Sequence, residues 1–151
     1  MASNPLVAQG TLNRLISSVV LHSLPALNIS ASNMGKNFLS VTLDEMPFVT
    51  QIETGVGVVN SLEPYAMATV SVDLLKTQSL GNSWKVQSET TGILGNITVY
   101  PDVGSGVLGT YYFGNCAIKT LDPNAFDGKN PVFRLTIRGV YYINNNAWNL
   151  T

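Results

Sequence analysis

His22 and Cys116 are the side chains best suited by type to proton transfer or nucleophilic attack, and each is the single residue of its type. A nucleophile of this kind needs a base beside it. His22 lies in an apolar stretch typical of a strand, where a packed or edge histidine is commoner than a catalytic one. The nine acidic residues are scattered, so no pair of carboxylates is indicated as acid and base. The sequence predicts no catalytic residue and no enzyme.

Residues 104–109 read Gly-Ser-Gly-Val-Leu-Gly, which spells the dinucleotide-binding fingerprint. That motif works only where a strand turns into a helix that receives the pyrophosphate. Here an aromatic, strand-like run follows, so the glycines predict a hairpin loop. A single cysteine excludes a disulfide within the chain and zinc sites of the paired-cysteine type, and Cys116 is expected to be a small buried hydrophobe. The sequence predicts no cofactor and no metal.

The composition points to a protein with few surface charges. Of the 151 residues, 45% are hydrophobic and 11% charged, with a net charge of -1; average soluble domains are about 25% charged. A neutral surface is expected where subunits cover one another, since interface cores are depleted in charge; the alternative is a monomer with a polar, uncharged surface. Lys and Arg form no cluster, which argues against specific nucleic-acid binding. No apolar run approaches the roughly 18 to 20 residues that span a bilayer, so no membrane insertion is expected.

Alternation of apolar and polar residues is the main structural signal, and it is typical of half-buried strands. It runs through residues 39–44, 69–74 and 133–138. Further β-branched or aromatic runs occupy residues 15–21, 97–100, 110–121 and 140–143, which gives six or seven strands. Gly35 and Gly95 are interpreted as turns. We expect one domain over residues 1–151.

Two segments depart from this pattern. Residues 77–89 predict a helix capped by Thr77 or Ser79, with Leu80 and Trp84 on one face. Residues 45–64 have no clear period, and an irregular connection of about twenty residues is usually functional or bound by a partner.

From residue 68 onward the order of features resembles the tail tube proteins of contractile bacteriophage tails. The similar segments are the strand and cap at residues 68–79, the short strand at 97–100 with Asp102, the Ala117-Ile118-Lys119 run, and the closing strand at 132–139. The opening residues 4–6 and 10–14 also resemble such subunits. The resemblance implies a mainly β fold of two packed antiparallel sheets, sandwich-like or barrel-like, with one short flanking helix.

The resemblance further implies hexameric rings stacked into a hollow tube inside a contractile sheath. Sheath, baseplate and tail-terminator proteins would be its partners, and DNA would pass through the lumen without specific binding. The protein would be located in the virion tail after assembly in the cytoplasm of the bacterial host. A wet lumen that releases phosphates suits hydroxyl and acidic side chains; the candidates are Ser40, Thr42, Thr69, Ser71 and Asp73. The candidates for contact between rings come from the long irregular segment: Glu45, Met46, Pro47, Phe48, Val49, Ile52 and Glu53.

Two alternatives remain open. One is the tube of a phage-derived bacteriocin or of a type VI secretion system, which shares the architecture without carrying a genome. The other is a β-sandwich module that binds a carbohydrate or protein ligand through Tyr111, Tyr112, Tyr141 and Tyr142. Adjacent tyrosines on a strand point to opposite faces, so at most half of these could share a site.

Overall fold

The computed structural model describes residue 15 and residues 17–44, 46–100 and 110–146. Within these ranges the chain forms nine strands and one α-helix. The strands are β1 (Ser18–Leu21), β2 (Ile29–Ser30), β3 (Met34–Leu43), β4 (Val49–Glu53), β5 (Val58–Leu62), β6 (Tyr65–Leu75), β7 (Ile93–Tyr100), β8 (Tyr111–Asp122) and β9 (Val132–Tyr142). The helix α1 spans Ser79–Thr90. The prediction of a mainly β chain with two antiparallel sheets and one short helix is confirmed.

The two sheets are unequal in size. Seven strands follow the order β2-β1-β7-β8-β9-β6-β3, and β4 pairs only with β5. The predicted count of six or seven strands is wrong, because β2, β4 and β5 are additional and residues 140–142 continue β9 rather than forming a strand of their own. The motif at residues 104–109 lies outside the described residues.

The larger sheet is nearly barrel-shaped. Its two edge strands, β2 and β3, are consecutive in the chain and are joined only by a 3₁₀ turn at Ala31–Asn33. Three residues span at most about 10 Å, so the two edges of the sheet must come close to each other. The right-handed twist of antiparallel strands makes this curling possible.

One hydrophobic core fills the curled sheet. Alternate residues of β6 and β9 point into it, as the period-two pattern predicted, including Val70, Val72, Leu135 and Ile137. Each of these four side chains is almost completely buried. The sequence interpretation of half-buried strands is therefore confirmed for β6 and β9.

Helix α1 covers the core with Trp84, which is fully buried, and with the partly buried Leu80. Gly81 lowers helix propensity, but a Cβ at this position would lie 2.8 Å from Cε1 of Phe133. The glycine thus allows the helix to approach β9 closely. The predicted caps are wrong: Gln78 occupies the N-cap and makes no capping bond. Its side chain instead bonds Asn33 and the carbonyl oxygen of Ser32.

Gly35 and Gly95 lie inside strands β3 and β7, so their interpretation as turns is wrong. Gly95 has a φ of +78° and sits where the register between β7 and β8 shifts. This is the geometry of a bulge, which glycine accommodates without strain. Among the described residues, no helix has the length and apolar character needed to cross a membrane.

Candidate functional site

Residues 46–63 form a projecting β-hairpin, here called the arm. Its strands β4 and β5 pair antiparallel from Val49 opposite Leu62 to Glu53 opposite Val58. The turn at the tip is closed by Thr54, whose amide donates to the carbonyl oxygen of Gly57 at 2.7 Å. The hydroxyl of Thr54 also accepts from the Gly57 amide.

The arm corrects the interpretation of residues 45–64 as irregular. Period-two patterning is visible only where one face of a strand is buried and the other is wet. Here apolar residues lie on both faces: Ile52 and Val59 are opposite each other on one, and Val49 and Leu62 on the other. The pattern therefore gave no signal for strands.

Almost no part of the arm is covered by its own chain. Every residue of β5 is exposed, as are Phe48 and Ile52. An isolated two-stranded hairpin is at best marginally stable in water, and a contiguous exposed apolar surface marks an interaction site. The arm therefore has the composition of a surface that another molecule covers.

The base of the arm is held firmly to the larger sheet. The side-chain amide of Asn144 donates to the carbonyl oxygens of Phe48, at 2.8 Å, and Glu63, at 2.7 Å. The backbone amide of Glu63 donates to the same Phe48 oxygen. The backbone amide of Ile143 donates to the carbonyl oxygen of Pro64. Asn144, from the asparagine-rich end of the chain, thus fixes both sides of the hairpin.

The predicted contact residues lie in the first strand of this hairpin, β4, and in the residues just before it. Met46, Pro47 and Phe48 precede β4, while Val49, Ile52 and Glu53 belong to it. Glu45 lies outside the described residues. The second strand, with Val58, Val59 and Leu62, was not among the candidates, although it is equally exposed.

The five predicted lumen residues share one face of the larger sheet, opposite the core. Ser40 lies directly across from Ser71, and Thr42 across from Thr69. Asp73 lies two residues further along β6, across from Arg134 of β9. We call this surface, completed by Thr136 and Arg138, the polar face.

The charges of the polar face are paired. Nε of Arg134 lies 3.1 Å from a carboxylate oxygen of Asp73, whose side chain is largely buried. Arg138 donates to Asp44 through Nε at 3.0 Å and Nη2 at 2.6 Å. The hydrogen bond from Arg138 is the main cause that lowers the pKa of Asp44, with further contributions from the Thr69 hydroxyl and from Lys119. Neither pair leaves an unbalanced charge on this surface.

We expect Arg138→Met to raise the pKa of Asp44 toward the ordinary carboxyl value, and Lys119→Met to raise it less because Lys119 acts only through charge. A carboxyl whose pKa is lower in the folded state adds stability above its unfolded pKa, about 3.9, and that stability is lost as pH falls through the folded pKa. The contribution of this partly exposed pair is below about 1 kcal/mol. Titration of the carboxyl carbon by NMR checks both variants, and an unchanged Asp44 in Arg138→Met would contradict the pairing.

The two chemically reactive side chains are not close partners in the structure. Cys116 is buried, and burial raises the pKa of its thiol to about 11, so the reactive thiolate is not formed at neutral pH. Nε2 of His22 shares a 2.7 Å hydrogen bond with the hydroxyl of Thr98, and its ring lies 5.4 Å from that of Tyr112. Among the described residues, no three His, Cys, Asp or Glu side chains are grouped so as to hold a metal ion.

The four tyrosines divide between the two faces of the sheet, as their alternation requires. On the core side Tyr111 stacks on Phe113 at a centroid distance of 6.1 Å, and the tilted ring of Tyr141 packs against both at 5.6 to 5.7 Å. Tyr112 and Tyr142 lie on the opposite face and are about half exposed.

Comparison with known proteins found no family model, no curated protein and no solved structure that matches the chain.

Proposed function

We propose that the chain is a structural subunit of a phage tail tube, which forms hexameric rings that stack into a hollow tube and conduct DNA during ejection. The observation that carries the proposal is the arm: an apolar hairpin anchored at its base and uncovered along both faces. Such a hairpin gains its stability from a partner, and in a homo-oligomer every copy supplies both the arm and its receiver.

The polar face supports the second part of the proposal. It presents hydroxyls and balanced ion pairs across three neighbouring strands. A wall of this kind stays hydrated, and both of its arginines are already paired with carboxylates. This weakens its hold on phosphates, because affinity for DNA grows with each phosphate neutralised by Lys or Arg. Ser40, Thr42, Thr69 and Ser71 are thus proposed to line the lumen, with the largely buried Asp73 holding Arg134 on the same wall.

The proposed partners are the sheath outside the tube, the baseplate at one end and the tail terminator at the other. The proposed location is the virion tail, with assembly in the host cytoplasm. A bacteriocin or type VI secretion tube would use the same subunit architecture. A neighbouring capsid or terminase gene distinguishes the phage tail from both.

Negative-stain microscopy of the purified protein tests the proposal. We expect rings or stacked tubes whose number rises with protein concentration, because association is driven by mass action. A particle that remains monomeric in sedimentation at high concentration would contradict it.

A binding module for a carbohydrate or protein ligand is the second candidate function. It is favoured by Tyr112 and Tyr142, which share one exposed face. Such a module needs no assembly to bind its ligand, so a protein that stays monomeric in the same sedimentation experiment favours it over the tube.

A further inference from the structure

A row of aromatic side chains crosses the larger sheet beside the arm. Tyr142 of β9 lies directly opposite Tyr65 of β6, and Tyr112 of β8 directly opposite Thr98 of β7. His22 extends the row by its hydrogen bond to Thr98 and its ring contact with Tyr112. We call Tyr65, Tyr142, Tyr112, Thr98 and His22 the tyrosine row.

The row is a surface of aromatic rings with hydroxyl groups. Its three tyrosines are each about half exposed, and none of its members is a carboxylate, lysine or arginine. The exposed halves of three tyrosine rings amount to on the order of 300 Å². A stable interface needs about 800 Å² on each partner, so the row supplies a substantial part of one side.

One face of the arm is chemically suited to such a surface. Val49, Leu62 and Val58 supply apolar area on this face, and Gln51 lies directly opposite Asn60 between them. Glu53, opposite Val58, places one carboxylate at the tip end of the same face. Aliphatic groups pack against tyrosine rings, while side-chain amides both donate to and accept from tyrosine hydroxyls. The other face, with Ile52 and Val59, is left for contact between rings.

The position of the row determines which copy can reach it. The arm connects the end of β3 to the start of β6, and the row contains Tyr65 at the start of β6 and Tyr142 at the end of β9. The arm and the row are therefore at the same end of the sheet. Subunits of a closed ring are related by rotation alone. In a tube whose strands run along its axis, an arm and a row at the same end of the sheet are therefore at the same height in neighbouring copies.

We infer that the arm of one subunit lies on the tyrosine row of its lateral neighbour in the same ring, with the Val49, Leu62 and Val58 face toward the tyrosines. This inference rests on the proposed function and deepens it, since the arm then joins copies within a ring as well as between rings. The partner is a second copy of this chain.

Disulfide cross-linking tests the contact. A chain carrying both Val58→Cys and Tyr112→Cys is assembled, oxidised and separated without reductant. The control carries Val86→Cys with Tyr112→Cys; Val86 lies on α1 and is 50% exposed, against 53% for Val58. Cys116 is 1% exposed and does not interfere.

We expect a ladder of linked subunits that ends at the number of copies in one ring as counted by microscopy, and no ladder from the control. Linking within rings cannot exceed one ring, whereas linking between rings continues along the tube. A ladder that passes the ring number, or assembled rings whose subunits remain unlinked, would overturn the inference and leave the proposed function standing. If the unmodified protein forms neither rings nor tubes, the proposed function fails first.

Discussion

Phe48→Asp is expected to give subunits that fold and close into rings but do not stack into tubes. Phe48 is 46% exposed at the base of the arm, and its known contacts to Asn144 and Glu63 use its backbone oxygen, which the substitution retains. A buried aromatic anchor in an interface contributes on the order of 2 kcal/mol or more. An unpaired carboxylate in its place adds a desolvation cost, repeated at every copy around the ring.

Val86→Asp is the matched control for this variant. Val86 lies on α1 and is 50% exposed, close to the 46% of Phe48. Because Val86 lies outside the arm, we expect tubes of normal length. Tube length is measured by negative-stain microscopy. Normal tubes from Phe48→Asp would show that the base of the arm does not join rings.

Trp84→Ala is expected to lower the free energy of unfolding by about 3 to 5 kcal/mol, the usual cost of removing a buried aromatic side chain. Trp84 is fully buried and connects α1 to the core of the larger sheet. For a chain of this size that loss corresponds to a fall in Tm of roughly 10 °C. Thermal unfolding followed by circular dichroism, at one fixed protein concentration, measures it.

Trp84→Phe is the variant to compare with Trp84→Ala. The indole Nε1 of Trp84 is buried and finds no acceptor among the described residues. Phenylalanine keeps most of the apolar volume and removes this unsatisfied donor, which by itself costs about 1 to 3 kcal/mol. We therefore expect a much smaller loss than for alanine. Equal losses in the two variants would contradict the packing role given to this side chain.

The sequence predicted those parts of the fold in which a strand has one buried face and one solvent-exposed face. Val70 and Val72 alternate with Thr69 and Ser71, and the structure buries the first pair and leaves the second on the polar face. The helix was predicted because Leu80 and Trp84 are four residues apart. These signals are local, since each is complete within a few residues.

Features that depend on distant pairing could not be predicted in this way. Asp73 and Arg134 are 61 residues apart, and only the register between β6 and β9 brings them together. The arm was missed for a different reason. Its residues face solvent in the single chain, so its sequence reflects a partner rather than the subunit's own core. For that reason, the sequence around Ile52 and Val59 shows no alternation of apolar and polar residues.

The connection of the arm to the sheet also has a mechanical consequence. The arm lies between β3 and β6 in the chain, and β6 is paired with β9 across eleven successive residue pairs. A pull on the arm therefore acts along these strands, while their hydrogen bonds lie across them. Inter-strand hydrogen bonds that are loaded in this shearing direction must break together rather than one after another. A subunit held by its arm would resist extension with the combined strength of its longest strand pair.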